Sequence, residues 1–154
     1  MKKLIILLIS VSTYAQNTVS FSVSQDLKLG NEKTIDVILT ANLEGKQFSY
    51  GYFTLQPFYE YSNVNKEDFH RYGVNAIWFI NRLIVPKLEL GFGGGLGVIS
   101  RYGAGNVSYG LINEISYPIS KRFDVMFKNE FVRRTDLKDP KTNYNLAIGL
   151  KFNI

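Results

Sequence analysis

Alternation is the feature that most limits what this chain can become. Beyond the first fifteen residues, apolar and polar side chains take turns at almost every second position, and no segment shows the 3.6-residue repeat of an amphipathic helix. Residues two apart lie on one face of a strand. In Lys33–Glu44, Ile35, Val37, Leu39, Ala41 and Leu43 share one side; Thr34, Asp36, Thr40, Asn42 and Glu44 share the other. At the end of the chain, Tyr144, Leu146, Ile148, Leu150, Phe152 and Ile154 oppose Asn145, Ala147, Gly149, Lys151 and Asn153. The pattern predicts an all-β protein whose strands each carry one apolar face and one polar or small face.

Eight strands are expected, at about Thr18–Leu29, Lys33–Glu44, Lys46–Tyr61, Phe69–Ile80, Leu83–Ser100, Asn106–Tyr117, Lys121–Arg134 and Thr142–Ile154. Turn-forming runs separate them: LGNEK, EGK, SNVNKED, INR, RYGAG, PIS and TDLKDPK. Within the fifth strand lies GFGGGLG, with Gly91, Gly93, Gly95 and Gly97 on alternate positions. No start in that run satisfies G-x-G-x-x-G, so a phosphate loop is excluded. The spacing puts the four glycines on one face, opposite Leu88, Leu90, Phe92, Leu96 and Val98.

The first residues read differently. Lys2 and Lys3 precede the short apolar run Leu4–Val11, and Thr13 and Ala15 supply small residues for a cut after Ala15. This is the layout of a secretory signal peptide, too short to span a membrane as a helix. A cut at Tyr-Ala/Gln resembles signal peptides common in Bacteroidetes. The expected division is residues 1–15 as signal peptide and 16–154 as one β domain. The formal charge of +5 falls to +3 when Lys2 and Lys3 leave with no acid. So mild a charge gives no footprint for nucleic acid. The absence of cysteine excludes a disulfide framework, a thiolate metal site and a lipoprotein anchor.

Two barrels share this alternation. A soluble, lipocalin-like carrier buries its apolar faces; a membrane barrel turns them to lipid. Four features favour the membrane. The strands reach the 9–11 residues that a tilted crossing needs. Aromatic residues bracket the apolar faces: Tyr109 and Tyr117, Phe123 and Phe131, Tyr144 and Phe152, with Trp78, Tyr72, Tyr59 and Tyr61 on the same parity. Eight residues at about 3.3 Å each and a tilt near 40° separate each bracketing pair by roughly 20 Å along the membrane normal. The polar face mixes charges of both signs with glycine and serine. Finally, the chain ends on an alternating strand, YNLAIGLKFNI.

In length, strand count, leader and that final strand, the mature chain resembles the small eight-stranded outer-membrane barrels of the OmpX/Ail/Lom and OmpA transmembrane-domain group. The resemblance implies an eight-stranded antiparallel up-and-down transmembrane β-barrel in the cell outer membrane, monomeric and without a cofactor. It implies outer-membrane lipids as partners, lipopolysaccharide among them, no nucleic acid, and an unidentified partner at the cell surface. An even strand count puts both termini in the periplasm. The expected role is structural or interactive, with an outer-leaflet lipid-modifying enzyme or a secreted lipid carrier as alternatives.

The candidate site residues follow from parity. A lumen ion network is expected from Asp36, Glu60, Arg71, Lys87, Glu89, Glu114, Arg122, Asp124, Lys128, Glu130 and Lys151. A narrow eight-stranded lumen is filled by side chains, and buried charges must pair. The glycine stripe makes room for bulky inward residues, expected at Phe48, Tyr50, Tyr52 and Phe58 and at Arg71. The single histidine, His70, lies in His70-Arg71-Tyr72, whereas a lipid A deacylase of eight-stranded type would resemble His-x-Ser; a rim residue, and no catalytic role, is expected. Lys33, Lys66, Arg101, Arg133, Arg134, Lys138 and Lys141 are placed in the outer loops, beside Glu32, Glu67, Asp68, Asp136 and Asp139. Those cations could contact lipopolysaccharide phosphates. Asp136 and Asp139 offer too few oxygens for calcium, and no metal is expected.

Overall fold

A computed structural model describes residues 19–26, 35–64, 67–81, 87–101, 104–135 and 142–154, with backbone only at 19–26, 35, 36, 46, 64, 67, 81 and 101. Eight strands run β1 Val19–Asp26, β2 Ile35–Phe48, β3 Gly51–Val64, β4 Glu67–Asn81, β5 Glu89–Arg101, β6 Ala104–Pro118, β7 Phe123–Arg134 and β8 Thr142–Asn153. Each pairs antiparallel with the next, and β1 pairs with β8, closing the barrel. Closure gives each described strand a neighbour on both sides and removes the free edges that lipid could not solvate.

The barrel is polar inside and apolar outside. Leu39, Leu55, Val74, Phe92, Leu96, Leu111, Ile148 and Leu150 are exposed on the outer wall. Gln56, Glu60, Arg71, Glu114, Lys128, Glu130 and Lys151 are buried in the lumen. An aqueous carrier needs the reverse arrangement. Aromatic rings join across strands at both ends of the apolar wall. Phe123 and Phe152 meet edge to face at 5.0 Å, and Phe131 and Tyr144 lie at 4.8 Å. Tyr59, Tyr72, Trp78, Tyr109 and Tyr117 are also exposed on this wall, and Tyr61 is half-buried on the same parity.

Three turns at the termini end differ from expectation. β2 continues through Glu44-Gly45-Lys46 and turns at Ser49-Tyr50. The register shifts between Glu44 and Gln47. A bulge of this kind flips the parity beyond it. Phe48, expected inside, therefore faces out and packs on Trp78 at 5.8 Å, while Tyr50 is exposed in the turn. β5 begins at Glu89, six residues later than alternation suggests, and Lys87 lies in the preceding turn with φ 79°. The third turn, 119–122, is tied by the Ser120 hydroxyl, which accepts the Arg122 and Phe123 N–H groups at 3.2 and 3.1 Å. The expected signal peptide, the runs 27–34 and 136–141, and Lys66 lie outside the described residues.

Candidate functional site: the barrel lumen

The alternate residues of β2–β8 meet in the lumen as a stack of layers. At the loop end, Arg134 caps the stack over the Phe69 ring at 4.5 Å. Below it Arg71 pairs with Glu130, lies 3.1 Å from Glu60, and stacks on Phe58 at 4.6 Å. All three ionic groups are buried, and one guanidinium faces two carboxylates within the barrel.

The middle layer is organised by Gln56, whose side chain is wholly buried. Its Nε2 donates to Asn42 Oδ1 at 2.7 Å and to Glu114 Oε2 at 3.1 Å. Its Oε1 accepts from Asn75 Nδ2 at 2.9 Å and Lys128 Nζ at 3.1 Å. Two donors and two acceptors are all that a carboxamide has. One side chain thus cross-links β3 to β2, β4, β6 and β7 across the axis.

Nearer the termini an apolar plug follows, made of Tyr52, Ile77, Phe79 and Ile112. Tyr52 stacks on Phe79 at 5.2 Å and donates its hydroxyl to Glu89 Oε2 at 2.8 Å. Beyond it opens a polar vestibule of about 390 Å³, lined by Glu44, Glu89, Asp124, Lys151 and Asn153 among others. There Lys151 Nζ meets Glu44 at 3.1 Å, and Asn153 donates to both Asp124 oxygens at 3.1 Å.

The glycine stripe lines the wall that faces this filling. An added Cβ at Gly91 would meet the Phe79 ring at 2.7 Å and Ile77 at 2.9 Å. At Gly93 it would strike the Ala76 carbonyl and approach Ile77 Cα at 2.8 Å; at Gly95 it would strike Asn75 Oδ1. At Gly97 it would crowd Phe58 and Ser108, both at 3.1 Å. Gly94, on the outer face, has only the Gly110 carbonyl nearby, at 3.3 Å.

Glu60, Arg71, Glu114, Asp124, Lys128, Glu130 and Lys151 are thus buried in the lumen, and Glu89 lines its vestibule. Lys87 and Arg122 are corrections: both are exposed in turns, because the strands start later than alternation suggests. Arg134, assigned to an outer loop, is instead buried within the barrel. The side chain of Asp36 lies outside those described. Gln56, Asn42, Asn75 and Glu44 escape a search for charges. The first three are neutral, and Glu44 is hidden by an apparent turn. Parity with Tyr52, Phe58 and Glu60 is the signal that points to Gln56.

His70 lies on the outer wall at the loop end. Its Nδ1 is 2.7 Å from the Tyr59 hydroxyl, and its ring packs near Tyr61. Tyr61 donates to Asp68 Oδ1 at 2.8 Å, and Asn63 donates to the same oxygen. Among the described residues, no group of three or more His, Cys, Asp or Glu side chains is placed to hold a metal.

A closed eight-stranded barrel with this apolar wall and polar lumen is an outer-membrane β-barrel. Neither a protein-family model nor a curated sequence matches the chain. Solved structures match in fold. A de novo designed transmembrane β-barrel is 16% identical with a TM-score of 0.63, over 90% of this chain and 96% of its own. Neisserial surface protein A is 13% identical with a TM-score of 0.57, over 89% and 95%. The outer membrane enzyme PagL is 13% identical with a TM-score of 0.59, over 88% and 99%.

Proposed function

We propose that this chain is a non-conducting, non-catalytic wall protein of the outer membrane, with a structural or interactive role at the cell surface. The observation that carries this reading is the saturated Gln56 carboxamide at the centre of the lumen. A group with all four hydrogen bonds made to protein leaves no capacity for a passing solute, and the Tyr52–Phe79 stack in the lumen below it supports the same reading. Similar folds serve a designed protein, a surface protein and an enzyme, so fold alone does not choose among roles. The enzymatic alternative needs a base beside a nucleophile at membrane level. The Tyr59 hydroxyl stands beside His70 Nδ1, but Asp68, the acid that would have to orient the ring, is bonded to Tyr61 and Asn63 instead. Membrane lipids are the proposed partners of the outer wall, with lipopolysaccharide phosphates facing the exposed Arg133.

Planar-bilayer recording tests the reading. The parent protein is expected to give no steady single-channel current. Steady currents that fall in a well-folded Gly93→Trp variant would overturn it and move the function towards transport.

A further inference from the structure

Lumen packing accounts for Gly91, Gly93, Gly95 and Gly97, but not for Gly94. Gly94 is on the outer face, and an added Cβ there would meet only the Gly110 carbonyl, at 3.3 Å. The barrel itself has room for a side chain at this position, yet the chain leaves it bare. Its register partner on β4 is Ala76, also on the outer wall and exposed. Large pairs flank this small pair on the same wall, Val74 with Leu96 towards the loop end and Trp78 with Phe92 towards the termini. Leu111 and Phe131 continue the row of the small pair onto β6 and β7. The result is one apolar hollow of about 810 Å³ in the outer wall, floored by Ala76 and Gly94 and lined also by Leu96, Leu111 and Phe131. A surface with no atoms against it forfeits its dispersion contacts, so a membrane component that fits the hollow gains them.

The loop-end rim of the same hollow is polar. Tyr109, Arg133 and Thr142 are register partners across β6, β7 and β8, all three are exposed, and all three line it. Arg133 stands two residues beyond Phe131, about 5 Å nearer the surface at a tilt near 40°, at the level of lipid headgroups. Among the described residues, no carboxylate pairs with it. A guanidinium is a planar fork of donors that matches a phosphate. Tyr109 and Thr142 add a hydroxyl-bearing side chain on the strand to either side.

We propose that this hollow binds one lipid of the surface leaflet that carries an exposed phosphate. The phosphate sits on Arg133, between Tyr109 and Thr142, and one acyl chain lies over Gly94 and Ala76. The charge at the rim and the apolar floor call for the two ends of one molecule; a free phosphate leaves the floor empty, and a neutral lipid leaves the guanidinium without its counter-charge. This site rests on the wall-protein reading above, and the two fail separately: steady currents would overturn that reading, whereas absence of a lipid preference would leave it standing.

Trp78 is the single tryptophan of the chain and stands one row from Ala76, so a brominated acyl chain lying in the hollow quenches its fluorescence. The barrel is reconstituted in phosphatidylcholine vesicles that carry a minor fraction of one brominated lipid. Brominated phosphatidic acid, whose headgroup is a bare phosphate, is expected to quench with about fivefold higher apparent affinity than brominated phosphatidylcholine. That factor is the equivalent of about 1 kcal/mol for one cation at an anionic membrane surface. Arg133→Gln should remove the preference. Gly94→Leu, whose side chain enters the hollow, should remove it as well, and the heat-dependent gel shift checks that both variants fold. Lys121→Gln, an equal loss of charge in the exposed turn at the termini end, should keep it. Equal quenching by the two lipids would overturn the proposal and leave the hollow to ordinary annular lipid. A preference that survives in folded Arg133→Gln or folded Gly94→Leu, or that is lost equally in Lys121→Gln, would also overturn it. Should Gly94→Leu fail to fold, Arg133→Gln, a surface change, still decides.

Discussion

Arg71 on β4 reaches across the lumen to Glu130 on β7, joining walls three strands apart. Glu60, its neighbour on β3, closes the cluster at 3.1 Å. Two carboxylates share one buried guanidinium, so its removal takes the nearest counter-charge from both. Arg71→Met is therefore expected to destabilise the barrel by about 3–5 kcal/mol. Urea unfolding in micelles, followed through Trp78 fluorescence, measures this. Adding Glu60→Gln and Glu130→Gln should recover most of the loss. A single variant as stable as the parent would show that the cluster does not hold the walls together.

Gln56 makes a second cross-axis tie, without a charge of its own. Gln56→Leu keeps much of the volume but removes one buried hydrogen bond from each of Asn42, Asn75, Glu114 and Lys128, on four strands. Orphaned buried polar groups cost about 1–3 kcal/mol. The expected outcome is a loss of at least that size in the same unfolding assay. An unchanged midpoint and slope would mean that the layer is dispensable.

Adjacent glycines separate the role of space from that of sequence. Gly93→Ala drives a methyl group into the Ala76 carbonyl, whereas Gly94→Ala meets only the Gly110 carbonyl at 3.3 Å. Overpacking costs about 1–3 kcal/mol, and backbone atoms yield less readily than side chains. Gly93→Ala should therefore lose that much stability, and Gly94→Ala should stay within about 0.5 kcal/mol of the parent. Equal effects would remove the packing explanation for the stripe.

Ile148 reports the orientation of the wall. It lies on β8 midway between Tyr144 and Phe152 and is exposed. Ile148→Arg is expected to cost about 2–4 kcal/mol in lipid. Ile148→Ser should cost less. Folding yield into vesicles compares them, and an arginine variant that inserts as well as the parent would contradict a lipid-facing Ile148.

The barrel class and most of the wall were legible in the amino-acid order. Strand period is local, so a residue's face can be read from its parity without knowing its partner. That is why Glu60, Arg71, Glu114, Lys128 and Glu130 could be gathered before any fold was known. Parity fails where the count is broken. The bulge after Glu44 reversed Phe48, and late strand starts left Lys87 and Arg122 in turns. Both depend on where a neighbouring strand finds its register, which is a pairwise property.

What only the tertiary structure decided is who meets whom across the axis. Closure of β1 on β8 brings β3, β4, β6 and β7 around one line. Gln56, neutral and unremarkable in sequence, becomes the hub because its carboxamide is at the height where four other strands present complementary groups. Tyr109, Arg133 and Thr142 likewise become a single polar row only when β6, β7 and β8 pair. Alternation along a strand is set by local backbone geometry; contact across a lumen is set by shear and closure, which no segment encodes by itself.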